Sequence, residues 1–275
     1  MRILFGMAAA AWLLATGAFA ADLPVSAYTR APMFVEPVFN WTGFYVGGNI
    51  GYSWGRSSDT STLTNTAGTA LLTSTGTTDL NGVVGGGQIG YNWQIQNWVW
   101  GLEADIQGTN EKGTRNFICP AGVCIPTPPA ILAPVAGIAV PVALNQKIDW
   151  FGTVRGRAGV LATPTLLLYA TGGLAYGEVD SNATIGAAST AFANTGATNF
   201  GWTAGAGIEG AIGGNWTARL EYLYVDLGRV NGSFLTTIVP IGGGVLSANY
   251  SSHITDNIVR VGINYKFNSP LVARY

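Results

Sequence analysis

Charge is what this 275-residue chain has least of. Lys, Arg, Asp and Glu together make up 10% of it, against about 25% in ordinary soluble domains. A water-facing surface of this size needs more. The 13 basic and 14 acidic residues nearly cancel. No basic surplus exists to hold a polyanion, which argues against nucleic acid as a partner. Histidine occurs once, as His253, far in sequence from the only cysteines, Cys119 and Cys124. That separation removes the partners a metal site needs, and no cofactor is expected. In an oxidising compartment the two cysteines, spaced C-P-A-G-V-C, are read as a disulfide clipping a small loop. Beyond the first twenty residues, long apolar runs are missing too. No stretch reaches the roughly 20 residues of a membrane helix.

What is present begins with the first residues. Arg2 precedes an apolar run from Ile3 to Ala18, then Ala18-Phe19-Ala20 and Asp22. A positive start, a short apolar stretch and a small-x-small end describe a secretory signal peptide over residues 1–20. Its loss, with Arg2, takes the net charge from -1 to -2. The exported remainder, expected to fold as one domain, is 48% hydrophobic over the whole chain, with 39 glycines and 11% aromatics. With no helical span, the remaining way through a bilayer is a closed β-barrel, because lipid cannot satisfy open backbone groups.

Eight segments carry the period-2 alternation that a barrel wall requires, bulky side chains toward lipid and small or polar ones inward. They are Trp41 to Ser53, Gly82 to Gln94, Trp98 to Gly108, Ile148 to Val160, Leu166 to Gly177, Phe200 to Ala211, Trp216 to Val225 and Thr255 to Phe267. The third is clearest: Trp98, Trp100, Leu102, Ala104 and Ile106 alternate with Glu103, Asp105 and Gln107. Connections alternate between short turns rich in Gly, Pro or Asn (95–97, 161–165, 212–215) and long stretches (54–81, 109–147, 178–199, 226–254). Short periplasmic turns and long external loops are the outer-membrane pattern. The predicted fold is therefore all-β: an eight-stranded antiparallel up-and-down barrel over 41–267. A periplasmic leader at 21–40 and a periplasmic tail at 268–275 flank it. Trp41, Trp93, Trp98 and Trp216 fall at the periplasmic rim; Trp54, Trp150 and Trp202 fall at the outer one. Together they form two aromatic girdles. The stretch from Ile125 to Leu144 is apolar but holds five prolines, so it is read as an external loop rather than a helix.

Inward positions collect Glu103, Asp105, Glu209 and Glu221, and Arg155, Arg157, Arg219 and Arg260. Buried charges must pair; Glu103 and Asp105 on the third strand lie near the height of Arg155 and Arg157 on the fourth, and bidentate Arg–carboxylate pairs across the lumen are expected. Two readings of this network compete. A plug is favoured, because an eight-stranded barrel has room only for its own side chains. A narrow ion or solute channel is the alternative. Catalysis has little support. Ser251 shares a face with His253 but no acidic partner is evident there, and Ser252 faces the other way. Gly85-Gly86-Gly87 and Gly242-Gly243-Gly244 lack the strand–loop–helix setting of phosphate loops.

At this point the residues resemble a family. Ala21-Asp22-Leu23-Pro24, the first-strand W-T-G-F-Y-V-G-G-N-I-G-Y, the third-strand G-L-E-A-D-I-Q-G and the ending V-R-V-G-I-N-Y-K-F are similar to those of the small outer-membrane β-barrel proteins of alphaproteobacteria. These belong to the OmpA-like membrane-domain superfamily and are also called porin-family or outer-surface proteins. The resemblance covers 41–267. It implies a protein of the bacterial outer membrane that supports the cell envelope and surface interactions; some relatives are called porins and some bind ligands such as haem, so adhesion or ligand binding through the external loops is a further alternative, and no enzymatic activity is expected. It also implies contact with outer-membrane lipid, periplasmic chaperones and the barrel-assembly machinery. Arg260, Gly262, Tyr265 and Phe267 fit that machinery's recognition signal, although the chain continues eight residues further, to Tyr275.

Overall fold

The computed structural model describes residues 39–64, 67–120, 140–185, 190–192, 197–238 and 244–267. The leader, the tail, Cys124 and most of the proline-rich stretch lie outside the described residues, as does the side chain of Cys119, so the disulfide reading falls there too. Nine strands follow in order: β1 (Gly43–Thr64), β2 (Ala70–Ile95), β3 (Trp98–Cys119), β4 (Val140–Thr163), β5 (Leu166–Ile185), β6 (Thr190–Phe192), β7 (Ala197–Gly213), β8 (Trp216–Ile238) and β9 (Gly244–Lys266). β6 is a three-residue strand beside the outer end of β5. The other eight are long, antiparallel and closed into a ring: β4-β3-β2-β1-β9-β8-β7-β5, with β5 returning to β4.

Closure is staggered. From Trp54 the pairing runs through Asn81 and Lys112 to Lys147 on β4. In the other direction it runs through Asn257, Tyr224, Ala204 and Gly172 to Gly156 on the same strand. That offset tilts the strands and sets the barrel's width.

Alternation holds through the membrane band. Ile50, Leu102, Ile106, Val154, Leu174 and Val261 stand outward, each more than half exposed, while Gln88, Glu103, Thr153, Arg155, Thr203 and Arg260 are buried inside. At the short-turn end Trp93, Trp98, Trp216 and Phe267 face outward, with Trp216–Tyr265 and Tyr265–Phe267 ring pairs 5.0 and 5.2 Å apart. At the other end stand Trp54, Phe200 and Trp202, with Trp150 edge-on to Tyr176 at 6.0 Å. Gly213 and Gly214 turn β7 into β8 at positive φ (136° and 54°), which glycine adopts at no steric cost.

Two expectations need correction. The long connections are mostly strand: β1 and β2 continue as a paired ribbon to Thr64 and Ala70, and β8 and β9 to Ile238 and Gly244. Beyond the membrane the outward face meets water, so Ser, Thr and Asn replace the apolar residues that mark a wall strand, and the ladder continues without its sequence signal. Trp41 is not in a girdle. It is 1% exposed, packed with Val99, Leu167 and Tyr169 in the periplasmic mouth, and its indole N–H donates to the Pro164 carbonyl at 3.2 Å.

Candidate functional site: the filled lumen

The strand periodicity that turns apolar groups to lipid points their neighbours at the axis, so the interior is assembled from all eight long strands. From the periplasm outward it forms four layers. Trp41, Val99, Leu167 and Tyr169 make the floor. The eight charged residues read from the sequence come next, each at most 5% exposed. An apolar layer follows, in which Leu80, Val84, Phe151, Leu223, Ile254 and Ile258 are almost wholly buried. Above it sits a polar layer centred on Asp59, which accepts from Ser57 (2.7 Å), Thr78 (2.8 Å), Tyr250 (3.1 Å) and Gln146 (3.2 Å).

The charge layer is one connected network. Glu103 faces Arg155 across the β3–β4 ladder, and Glu221 faces Arg260 across β8–β9. Arg155 hydrogen-bonds Glu103 and also reaches Asp105 at 2.7 Å and Glu221 at 3.1 Å. Its guanidinium therefore bridges three carboxylates; the expected bidentate fork is absent because three acids converge on one cation. Arg260 holds Glu221 at 2.6 Å and Asp105 at 3.0 Å. Arg157 does not pair tightly with the β3 acids, lying 3.9 Å from Glu103. It donates instead to Glu209 on β7 at 2.6 Å, with its guanidinium 4.1 Å over the Tyr169 ring. Arg219 reaches Glu103 at 2.5 Å, although its register partner is Glu209.

Neutral donors fill further lone pairs. Tyr45 donates to Glu103 at 2.6 Å, Tyr169 to Glu221 at 3.0 Å, Thr153 to Asp105 at 2.9 Å, and Thr217 and Asn264 to Glu209 at 2.6 and 2.9 Å. Four carboxylates and four guanidiniums balance, so the layer carries no net charge. Charges removed from water need both opposite partners and hydrogen bonds to hold them; every member of this set has both, although Asp105 Oδ1, Arg219 Nη2, Arg260 Nη1 and the Nε atoms of Arg155, Arg157 and Arg219 find no hydrogen-bond partner among the described residues.

The apolar layer is what sequence reasoning missed. Its signal was present: from Leu223 to Leu227 the inward positions are Leu, Val and Leu while the outward ones are Tyr224 and Asp226. Near the outer end of the wall the inward positions turn apolar while the outward face stays bulky, so the two faces lose their contrast. One acidic pair breaks the layer. Glu111, beyond the Trp54 and Trp150 belt and outside the membrane span, is fully buried. Burial, with the Asp256 carboxyl beside it, pushes its carboxyl up to about 8. Thr109 donates to Glu111 at 3.1 Å, and Ser53 donates to Asp256.

His253 lies within β9 and has an acidic partner after all, with Nε2 3.0 Å from Asp226 on β8. Ser252 points inward onto Ser57. Among the described residues, no group of three or more His, Cys, Asp or Glu side chains is placed to hold a metal ion. Gly85-Gly86-Gly87 lies inside β2; Gly242 and Gly243 lie outside the described residues. Arg260, Gly262 and Tyr265 sit in β9, and Phe267 directly follows it.

A closed ring of long antiparallel strands, belted by aromatics and polar within, is the architecture of proteins that cross the bacterial outer membrane. Residues 8–267 match the family described as outer membrane protein beta-barrel domain. The chain belongs to that family. It is thus a β-barrel protein of the outer membrane. It is 39% identical over 272 residues to the 31 kDa outer-membrane immunogenic protein of Brucella melitensis, covering 95% of this chain and 98% of that one. It is 31% identical over 235 residues to the 22 kDa outer membrane protein of Rhizobium leguminosarum, covering 85% and 81%. The outer membrane protein OprG of Pseudomonas aeruginosa superposes with a TM-score of 0.42 at 10% identity, over 83% of this chain and 98% of that one.

Proposed function

We propose that this outer-membrane barrel is a sealed structural element of the envelope. Its lumen stiffens the wall and conducts nothing, and its outer extensions carry the surface contacts. The observation that supports this best is the Arg219–Glu103 contact, which joins two strands on opposite sides of the ring. A side-chain bridge across the full diameter, with the other charged side chains of the layer buried around it, narrows any water path at that height. The Trp41 floor below and the Leu80–Leu223 layer above are apolar obstacles in series with it. The mechanism is physical. Lipid-facing side chains anchor the band, the paired charges resist changes in strand register, and the long ribbons hold their tips beyond the membrane.

The biogenesis reading belongs to the same proposal. Residues 1–20 are removed on export, chaperones carry the chain across the periplasm, and the assembly machinery reads Arg260, Gly262, Tyr265 and Phe267. No catalytic step is part of it. Planar-bilayer recording of the refolded protein tests the sealed lumen. A flat baseline at 100 mV is expected, and stepwise currents that change with Arg155→Ala would favour the channel instead.

A further inference from the structure

Beyond the outer belt most of the barrel's exterior carries mixed charge. On the β4–β5 side Asp149, Glu178 and Asp180 surround Lys147, an acidic stretch that repels anions. The β8–β9–β1 side differs. These three strands stay hydrogen-bonded far past the belt, with Thr60 and Asn231 both opposite Ser251, and Thr62 and Ser233 both opposite Asn249. Those six side chains, each a hydroxyl or an amide, line an open hollow of about 320 Å³ on the outward face together with Gly232 and Tyr250. Below the hollow lie two exposed arginines. Arg229 is opposite His253 on β9; Arg56 on β1 is one pleat lower, 3.7 Å from Asp79. The other carboxylate nearby, Asp226, is engaged by His253 at 3.0 Å and by the Gly228 amide at 2.8 Å. Among the described residues no carboxylate lies within ion-pair distance of Arg229. Lower still, the same face becomes Tyr52, Val259 and Tyr222, the lipid-facing wall.

We infer that this face holds the headgroup of a phosphorylated glycolipid of the outer leaflet. The three tiers follow such a molecule in order. Acyl chains lie on Tyr52, Val259 and Tyr222. Phosphate meets Arg56 and Arg229, where a guanidinium offers paired donors to phosphate oxygens. Sugar hydroxyls occupy the uncharged hollow, where Asn231, Asn249 and Ser251 both donate and accept. The site is continuous with the membrane-embedded surface, so a lipid reaches it by lateral diffusion alone. The inference rests on the long ribbons facing outward. An epitope inserted at Gly68, in the β1–β2 turn, tests that separately: antibody binding to intact cells supports the orientation, and binding only after lysis overturns it.

The test is the affinity of the full-length folded protein, in detergent micelles, for fluorescent deep-rough lipopolysaccharide (lipid A with inner-core sugars). Lipid A alone and phosphatidylglycerol are measured in parallel. Heat-modifiable gel migration verifies folding of each variant. Wild type is expected to bind the lipopolysaccharide at least tenfold more tightly than phosphatidylglycerol. Arg56→Ala/Arg229→Ala is expected to weaken it roughly tenfold or more, since each basic group at a membrane surface contributes a several-fold factor. Asn231→Ala/Asn249→Ala is expected to lower lipopolysaccharide binding and leave lipid A binding unchanged. Lys147→Ala, at similar height on the acidic side, is expected to change neither. Equal binding of phosphatidylglycerol, an unchanged affinity in the double arginine variant, or an equal loss in Lys147→Ala would overturn the inference. Should the double alanine variant misfold, Arg56→Gln/Arg229→Gln is read against the same outcomes.

Discussion

Arg219 on β8 reaches the carboxylate of Glu103 on β3 at 2.5 Å, and four steps separate those strands in either direction round the ring. Neither strand borders the other, so only a side chain stretched over the axis makes the contact. The barrel's cross-section is thereby tied together by charge as well as by its backbone ladders.

Arg155→Ala removes one of the two cations that Glu103, Asp105 and Glu221 share, Arg260 being the other. Three buried acids then lose a partner at once, and breaking a buried ion pair typically costs about 3–5 kcal/mol. Urea unfolding in lipid vesicles, followed by tryptophan fluorescence, should show a loss of that order. An unchanged midpoint would mean that water already screens the network.

Trp41→Ala should cost roughly 3–5 kcal/mol, as large-to-small changes of buried aromatics do. The indole is 1% exposed and bonded to the Pro164 carbonyl. A girdle tryptophan, in contrast, keeps half its surface in lipid; Trp98 is 53% exposed. Trp98→Ala in the same vesicles should therefore lose clearly less. Equal losses would return Trp41 to the girdle.

Glu111 gives the protein a pH dependence of stability. Its carboxyl is raised from 4.5 to about 8 by burial and by Asp256, so the folded state binds a proton that the unfolded state releases. The resulting stability is full below about 4.5 and is lost as pH rises through 8. Glu111→Gln keeps the shape and cannot ionise. At pH 9 it should be more stable than wild type by on the order of a few kcal/mol, and below pH 4.5 the two should converge. A constant difference across pH 4 to 9 would show that Glu111 does not titrate in this way.

Most of the wall was legible in the sequence because lipid enforces it. Trp100, Leu102 and Ile106 against Glu103, Asp105 and Gln107 can be laid down in only one way, since a one-residue slip turns every charge into hydrocarbon. The closed fold, the strand count and the eight lumen charges follow from that single pressure. Pairing within the lumen was less legible. Which acid Arg157 chooses depends on barrel diameter and stagger, quantities set by all eight strands and encoded in none. The outer ribbons were illegible for another reason. Past Trp54 the exterior is wet, so Thr60 and Thr62 look like loop residues although their backbones are paired with β9. Leu223, Val225 and Leu227 were hidden by a similar loss of contrast, because bulky residues occupy both faces of β8 there and the inward ones read as ordinary wall.

Glu103 and Arg219 bridge the lumen from side to side. A double-mutant cycle between Glu103→Gln and Arg219→Gln measures that bridge, because the cycle subtracts what each residue gains from its other partners in the network. A coupling energy of about 1–3 kcal/mol is expected between these two residues on opposite strands. Strict additivity, with coupling near zero, would mean that the two side chains do not meet and that the interior is open.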